Sequence, residues 1–150
     1  MKRTFVLIIV VAAALPALVA MTALAPSAGP GDALWEATVR VESKGDPRAY
    51  NAHDGAGGIA QIRAVCLADV NRIAGRRGLV ERYSPSDLTD PAKARRIWAL
   101  YLEYYGDLYE KRTGRTPTDE IYARIWNGGP NGWHKDCTRP YWDRVRSVME

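Results

Sequence analysis

From residue 32 onward the apolar residues recur at intervals of three or four, the spacing that places side chains on one face of an α-helix. The clearest stripe consists of Ile62, Cys66, Val70 and Ile73 and predicts a helix over about residues 59–74. Capping and stop residues predict four further helices, over residues 32–43, 91–112, 118–126 and from about 140. No segment alternates between polar and apolar residues for long enough to predict a strand, although the turn residues within 48–58 leave room for a very small β element. The pattern predicts a mainly α protein, or an α+β protein with a very small sheet.

The first 25 residues follow a different pattern. Lys2 and Arg3 precede an apolar run from Phe5 to Ala25. A positive start, an apolar middle and small residues at the end are typical of a secretory signal peptide, with cleavage expected after Ala25. The run of about 21 residues is also long enough to cross a bilayer as a helix, so a retained N-terminal membrane anchor is the alternative. Both interpretations predict that the rest of the chain is exported, to the periplasm or the extracellular space, because Lys2 and Arg3 hold the N-terminus inside.

Composition and charge limit the classes of partner. Residues 26–31, rich in Pro and Gly, are interpreted as a linker, and residues 32–150 as one domain. An apolar fraction of 47% excludes a disordered chain. The net charge of +4 falls to +2 when Lys2 and Arg3 are set aside. That charge is too small for the basic footprint of a nucleic-acid-binding protein, so no nucleic-acid partner is expected, and a monomer is the default.

Glu42 has the most informative position in the chain. It falls at the C-terminal end of the first predicted helix, within one arc of about 100° that also holds Trp35, Thr38 and Val39. Apolar surroundings and the negative end of a helix dipole both disfavour a carboxylate and raise its pKa. A carboxyl group that stays protonated near neutral pH can donate a proton to a leaving-group oxygen, as cleavage of a glycosidic bond requires. The alternative is a glutamate at a frayed helix end that faces water.

Three further segments accompany the pair Glu42-Ser43. They are a Gly-x-x-Gln motif that ends at Gln61, the Trp-Asn-Gly-Gly sequence of residues 126–129, and a Pro-Tyr-Trp sequence at 140–142. In this order and spacing they resemble the catalytic domain of lytic transglycosylases of the soluble-lytic, goose-lysozyme-like superfamily. The resemblance covers about residues 32–148. It implies a lysozyme-like helical fold with a cleft that binds the glycan strands of peptidoglycan.

The resemblance also implies roles for individual residues. Glu42 matches the single catalytic acid, and Ser43 would support it. Gln61 matches the cleft glutamine, Asn127 the motif asparagine and Tyr141 the closing tyrosine near the acid. Amide and phenol groups can hydrogen-bond the acetamido and hydroxyl groups of an amino sugar. The alternative for each is ordinary, because Gln61 can cap a turn, Asn127 can end a helix and Tyr141 can belong to the core.

Aromatic residues add a second way to hold a sugar. Trp126 or Trp133 offers a flat face to a sugar ring, and the alternative is that both belong to the core. Two positions depart from the family pattern. Trp126 stands where the family has Tyr, and Cys137 precedes Thr138 where the family often has Glu-Thr. Neither change touches Glu42.

The resemblance implies a mechanism with one glutamate. Glu42 would act first as acid and then as base, the substrate's N-acetyl group would support the cationic centre, and the 6-hydroxyl of muramic acid would close a 1,6-anhydro ring in place of water. Two-carboxylate glycosidases need a second acid across the cleft. Asp54 is the acidic residue placed for that role, and its alternative is a turn-forming Asp before Gly55. The predicted function is a peptidoglycan lytic transglycosylase; the alternatives are a hydrolytic lysozyme that uses Asp54 to position water, and a non-catalytic peptidoglycan-binding protein.

Cys66 and Cys137 are the only cysteines. In an exported chain an even number favours a disulfide between them, the alternative being two separately buried thiols. No metal site is expected, since His53 and His134 lie near neither a Cys pair nor each other in the sequence. No cofactor is expected either.

Overall fold

A computed structural model describes residues 29–149. The signal peptide or membrane anchor expected for residues 1–25 and most of the expected linker lie outside this part. Among the described residues, no helix combines the length and the hydropathy that crossing a membrane requires.

Five α-helices and three two-residue strands form the described part of the chain. The elements in order are α1 (Asp32–Ser43), β1 (Tyr50–Asn51), β2 (Ala56–Gly57), β3 (Ile62–Arg63), α2 (Ala64–Arg76), α3 (Pro91–Thr113), α4 (Asp119–Gly128) and α5 (Arg139–Met149). Short 3₁₀ turns occupy Pro85–Thr89, Gly132–His134 and Asp136–Thr138. The prediction of a mainly α protein with a very small β element is confirmed.

Local capping explains where the longest helix begins and ends. The Asp90 carboxylate accepts hydrogen bonds from the backbone N–H groups of Ala92 and Lys93, at 2.9 and 3.2 Å. Pro91 follows in the first position of α3, where a missing N–H costs nothing. Gly114 ends the helix with a φ of 68°, a left-handed conformation that glycine adopts without strain.

Helix α3 runs through the core and the other helices pack around it. Its side chains Ile97, Trp98, Leu100 and Leu102 are almost completely buried. Helix α2 and helix α4 pack on α3, while α1 packs on α5 and α4 also contacts α5. Burying these apolar surfaces drives the association of the helices. The packing brings the C-terminal end of α1 close to α5, although the two helices lie at opposite ends of the domain sequence.

The three strands form an antiparallel sheet in the order β1-β2-β3. Tyr50 is opposite Gly57, and Gly57 is opposite Ile62. Gly58 has a φ of +76°, and a Cβ built at this position would lie 1.9 Å from the backbone oxygen of Leu88. Only glycine therefore fits where the sheet packs against the 3₁₀ turn Pro85–Thr89.

The predicted helix over residues 59–74 begins later than expected, at Ala64. Ile62 belongs to β3, and Gln61 before it has a φ of +50°. Ile62 is nevertheless only 1% exposed, so the apolar stripe correctly identified a core residue. The spacing of four between Ile62 and Cys66 suits one helix face, but it also suits a strand that leads directly into a helix.

Candidate active site

An open cleft of about 700 Å³ lies where the C-terminal ends of α1 and α4 meet the sheet and one face of α2. Five of the residues predicted to be catalytic or substrate-binding line it, namely Glu42, Asp54, Gln61, Trp126 and Asn127. Ser43 and Tyr141 are not part of the lining. The cleft therefore brings together residues that are distant in the sequence; Glu42 and Asn127 are 85 positions apart.

Glu42 lies in the last turn of α1, with its carboxyl group partly buried at the cleft. The hydroxyl of Tyr141 donates a hydrogen bond to Glu42 Oε1 at 2.8 Å. The Trp126 side chain is close enough to favour the charged form of the same carboxyl group. The hydrogen bond from Tyr141 on α5 thus fixes the orientation of the Glu42 side chain.

The pKa of Glu42 is raised above its ordinary value. Burial is the largest cause, because removal from water penalises the charged form. The Tyr141 hydrogen bond, the neighbouring Trp126 side chain and the positive charges of Arg144 and Arg63 all lower this pKa, yet burial prevails. The result is a carboxyl group that keeps its proton to higher pH than an exposed glutamate and that faces a cleft open to ligands.

Tyr141 contacts Glu42 from the protein interior. It is 3% exposed, on the first turn of α5, and it does not line the cleft. Burial and the neighbouring Glu42 carboxyl raise the pKa of its phenol well above the usual range, so the phenol remains a proton donor. The Arg144 guanidinium lies 5.6 Å from the centre of the Tyr141 ring. The structure thus brings Tyr141 to the acid, as the resemblance implies, but as a buried partner and not as a ligand-facing group.

Ser43 and Gln61 hold the loops around the cleft. The Ser43 hydroxyl donates to the backbone oxygen of Ile59 at 2.7 Å and so ties the end of α1 to the turn before β3. The Gln61 amide nitrogen donates to the backbone oxygens of Ala49 and Gly58, at 3.2 and 3.0 Å. Both of its N–H groups are thereby used. The amide oxygen of Gln61 is the group left for a ligand.

Asp54 is exposed on the turn between β1 and β2 and lines the same cleft as Glu42. The side-chain amide of Asn51 donates to Asp54 Oδ2 at 3.1 Å, and the Asn51 amide oxygen accepts from the backbone N–H of His53 at 3.0 Å. These contacts stabilise the turn, which is the ordinary role considered for Asp54. They also hold a carboxylate at the rim of the cleft.

The two tryptophans considered for sugar binding have different positions. Trp126 is half-buried, lines the cleft and packs edge-on against Tyr101, with ring centres 5.8 Å apart. Trp133 packs against the ring of Tyr109 at 5.2 Å and does not line the cleft. Of the two, only Trp126 therefore lines the cleft, and Asn127 follows it as an exposed cleft residue.

Sequence reasoning missed one wall of the cleft, which we call the α2 wall. It consists of Arg63, Val65, Cys66, Ala68, Asp69 and Arg72. Arg72 Nε donates to Asp69 Oδ1 at 2.8 Å, and the hydroxyl of Tyr105 donates to Asp69 Oδ2. The spacing of residues 65, 68, 69 and 72 places them on one helix face. Because that face carries charged residues, the sequence alone predicts that it faces solvent.

The structure contradicts the expected disulfide, since Cys66 and Cys137 are both free thiols. Cys66 lies in the first turn of α2, inside the cleft wall, where burial raises the pKa of its thiol to about 12. Cys137 is exposed on the 3₁₀ turn Asp136–Thr138. An even number of cysteines carries no information about distance, and these two lie on different elements.

The chemistry available in the cleft is that of carboxyl, amide, guanidinium and aromatic groups. Within residues 29–149 no group of three or more His, Cys, Asp and Glu side chains is placed to hold a metal ion. In comparisons with known proteins, no family model and no curated protein sequence matches this chain.

Proposed function

We propose that this protein is an exported peptidoglycan lytic transglycosylase with a lysozyme-like fold, which cleaves the β-1,4 bond between N-acetylmuramic acid and N-acetylglucosamine. One observation carries the proposal. Glu42 presents a carboxyl group with a raised pKa to an open cleft, and a hydrogen bond from Tyr141 holds that group in place. A neutral carboxyl group in this position is suited to donate a proton to a glycosidic oxygen.

The proposed reaction uses Glu42 twice. The carboxyl proton of Glu42 moves to the bridging oxygen as the bond from C1 of muramic acid to that oxygen breaks, and N-acetylglucosamine leaves with a free 4-hydroxyl. The 6-hydroxyl oxygen of the same muramic acid then bonds to C1, and its proton returns to the Glu42 carboxylate. The products are a 1,6-anhydro end and a 4-hydroxyl end. No water is consumed, and Glu42 regains its proton.

The other cleft residues have supporting roles in this proposal. Trp126 offers a ring face beside Glu42, and the side chain of Asn127 and the amide oxygen of Gln61 provide hydrogen-bonding groups for acetamido and hydroxyl groups. The cleft of about 700 Å³ is within the range of pockets that bury a small ligand. Its open form suits a segment of a longer glycan chain.

Hydrolysis is the second candidate, and Asp54 is the observation that favours it. Its carboxylate lies at the same cleft as Glu42 and is available to orient a water molecule. Water in place of the 6-hydroxyl would give a reducing end and no anhydro ring. The two reactions share Glu42 as the acid and differ only in the attacking oxygen.

Replacement of Glu42 provides the direct test. The purified chain, its Glu42→Gln variant and the matched control Glu36→Gln are incubated with cell walls, and turbidity is followed. Glu36 is an exposed glutamate on the same helix and lies outside the cleft. We expect clearing by the wild type and by Glu36→Gln, and a loss of roughly a hundredfold to ten-thousandfold in rate for Glu42→Gln, because general acid catalysis contributes factors of this order.

The products decide between the two reactions. Mass spectrometry of fragments released by the wild type should show 1,6-anhydro ends, which are lighter by one water than reducing ends. Reducing ends would favour hydrolysis, and Asp54→Asn would then be expected to lose activity. Equal clearing by the wild type and Glu42→Gln would remove Glu42 from the mechanism. Binding without clearing by the wild type would identify a peptidoglycan-binding protein instead of an enzyme.

A further inference from the structure

Two arginines line the cleft, and only one of them is neutralised by a carboxylate. Arg72 forms an ion pair with Asp69. Arg63 forms no ion pair within 4 Å with any carboxylate of residues 29–149. Arg63 is also exposed. The cleft therefore contains one guanidinium whose five N–H donors are available to a ligand.

The position of Arg63 places this charge in the same cleft as the proposed acid. Arg63 ends β3 and directly precedes α2, so the backbone at this position is fixed on both sides. Its charge acts on the carboxyl group of Glu42, the thiol of Cys66 and the phenol of Tyr101. All three groups line the same cleft as Arg63.

We infer that Arg63 is a specificity residue that binds a carboxylate carried by the muramic acid branch of the glycan; this inference rests on the proposed function. Muramic acid differs from N-acetylglucosamine by a lactyl ether, whose carboxyl group is either free or extended by a peptide with its own carboxylates. A guanidinium pairs with a carboxylate through two parallel hydrogen bonds. Arg63 thus distinguishes peptidoglycan strands from chitin, which has the same linkage but no carboxylate.

An alternative role for Arg63 is purely electrostatic. Its positive charge favours the ionised form of Glu42, so the residue could tune the acid without touching substrate. Such an effect would change the reaction with every glycan in the same way. It would also vanish in the Glu42→Gln background, where no carboxylate remains to be tuned. Binding measured in that background therefore isolates contact with the substrate.

The test measures ligand binding by the Glu42→Gln protein and by three double variants made from it. Their second substitutions are Arg63→Gln, Arg63→Lys and, as the charge-matched control, Arg40→Gln. Arg40 is exposed on α1 and lies outside the cleft. The three probes are a chitin oligosaccharide, glycan strands freed of peptide so that the lactyl carboxylate is exposed, and peptide-bearing strands. We expect Arg63→Gln to weaken binding of a carboxylate-bearing probe about tenfold and to leave chitin binding unchanged.

The probes also identify the source of the carboxylate. A loss confined to peptide-free strands assigns the lactyl carboxylate, a loss confined to peptide-bearing strands assigns the peptide, and Arg63→Lys should retain part of the affinity as a point charge. Equal losses on all three probes, or no loss on any, would overturn the inference. If the wild type cleaves nothing while binding still depends on Arg63, the enzymatic proposal fails and the recognition of a carboxylate stands.

Discussion

Tyr141→Phe tests whether the Glu42 carboxyl group is held as a buried acid. The substitution deletes the phenol oxygen, which donates to Glu42 Oε1 at 2.8 Å, and keeps the buried ring. Among the groups that oppose the effect of burial on the pKa of Glu42, this hydrogen bond is the largest. Its loss should therefore raise the pKa of Glu42 further.

The expected change in the free energy of unfolding depends on whether Glu42 is protonated or ionised. A hydrogen bond to a neutral group contributes about 1 kcal/mol to stability, and one to a charged group about 1.5–3 kcal/mol. Tyr141→Phe should thus lower the free energy of unfolding by about 1 kcal/mol where Glu42 is protonated and by about 1.5–3 kcal/mol where it is ionised. Proton linkage also predicts that the substitution costs more stability at high pH. The pKa of Glu42 is higher in the folded state than in the unfolded state, so the free energy of unfolding falls as pH rises between these two pKa values, and a further raised pKa enlarges that fall.

Urea denaturation of the wild type and Tyr141→Phe at a series of pH values from about 4 to about 9 measures this difference. Tyr109→Phe is the control, since Tyr109 is another buried tyrosine and its ring packs on Trp133. Its effect should not vary with pH. The pH-dependent part of Tyr141→Phe should disappear in the Glu42→Gln background. A Tyr141→Phe effect of constant size across the series would refute the coupling between phenol and carboxyl group.

Three further expectations concern stability and reactivity. In the wild type, the raised pKa of Glu42 should make stability fall as pH rises above the unfolded-state value of 4.5, and Glu42→Gln should abolish this fall. Urea denaturation at acidic and alkaline pH measures the difference. Gly58→Ala should destabilise the fold by about 3 kcal/mol, since its Cβ would overlap the Leu88 backbone at a φ of +76°; an unchanged urea midpoint would contradict this. At about pH 8 a thiol reagent should modify exposed Cys137 well before Cys66, whose pKa is about 12, and mass mapping of the labelled sites decides the order.

The helix boundaries that could be predicted are those with local signals. Asp90 and Pro91 marked the start of α3, and Gly114 ends it in a left-handed conformation that local sequence favours. The start of α2 was predicted wrongly because Gln61 adopts a φ of +50° and Ile62 pairs with Gly57. Both features depend on the neighbouring strand, and no spacing of apolar residues encodes them.

The residues of the candidate site also divide into those that the local sequence identifies and those that it does not. Glu42 could be singled out because one helical arc places it beside Trp35 and Val39, whatever lies opposite. Arg63 and Asp69 were missed, since a charged residue near a helix start has the same sequence signature whether it faces a cleft or open water. The expected disulfide failed for a related reason, because counting two cysteines cannot measure the separation of their side chains.

The sequence by itself determined which segments are helical, which faces are apolar and that Glu42 lies at the end of a helix near such a face. These properties arise from interactions within one or two turns of the chain. Only the tertiary structure decided that Tyr141, 99 residues away, donates to the Glu42 carboxyl group. It also decided that Arg63 lines the same cleft without an ion pair to any carboxylate among the described residues. Such contacts depend on the packing of α1 against α5 and of α2 beside the sheet, where burial of apolar surface fixes partners that no local pattern specifies.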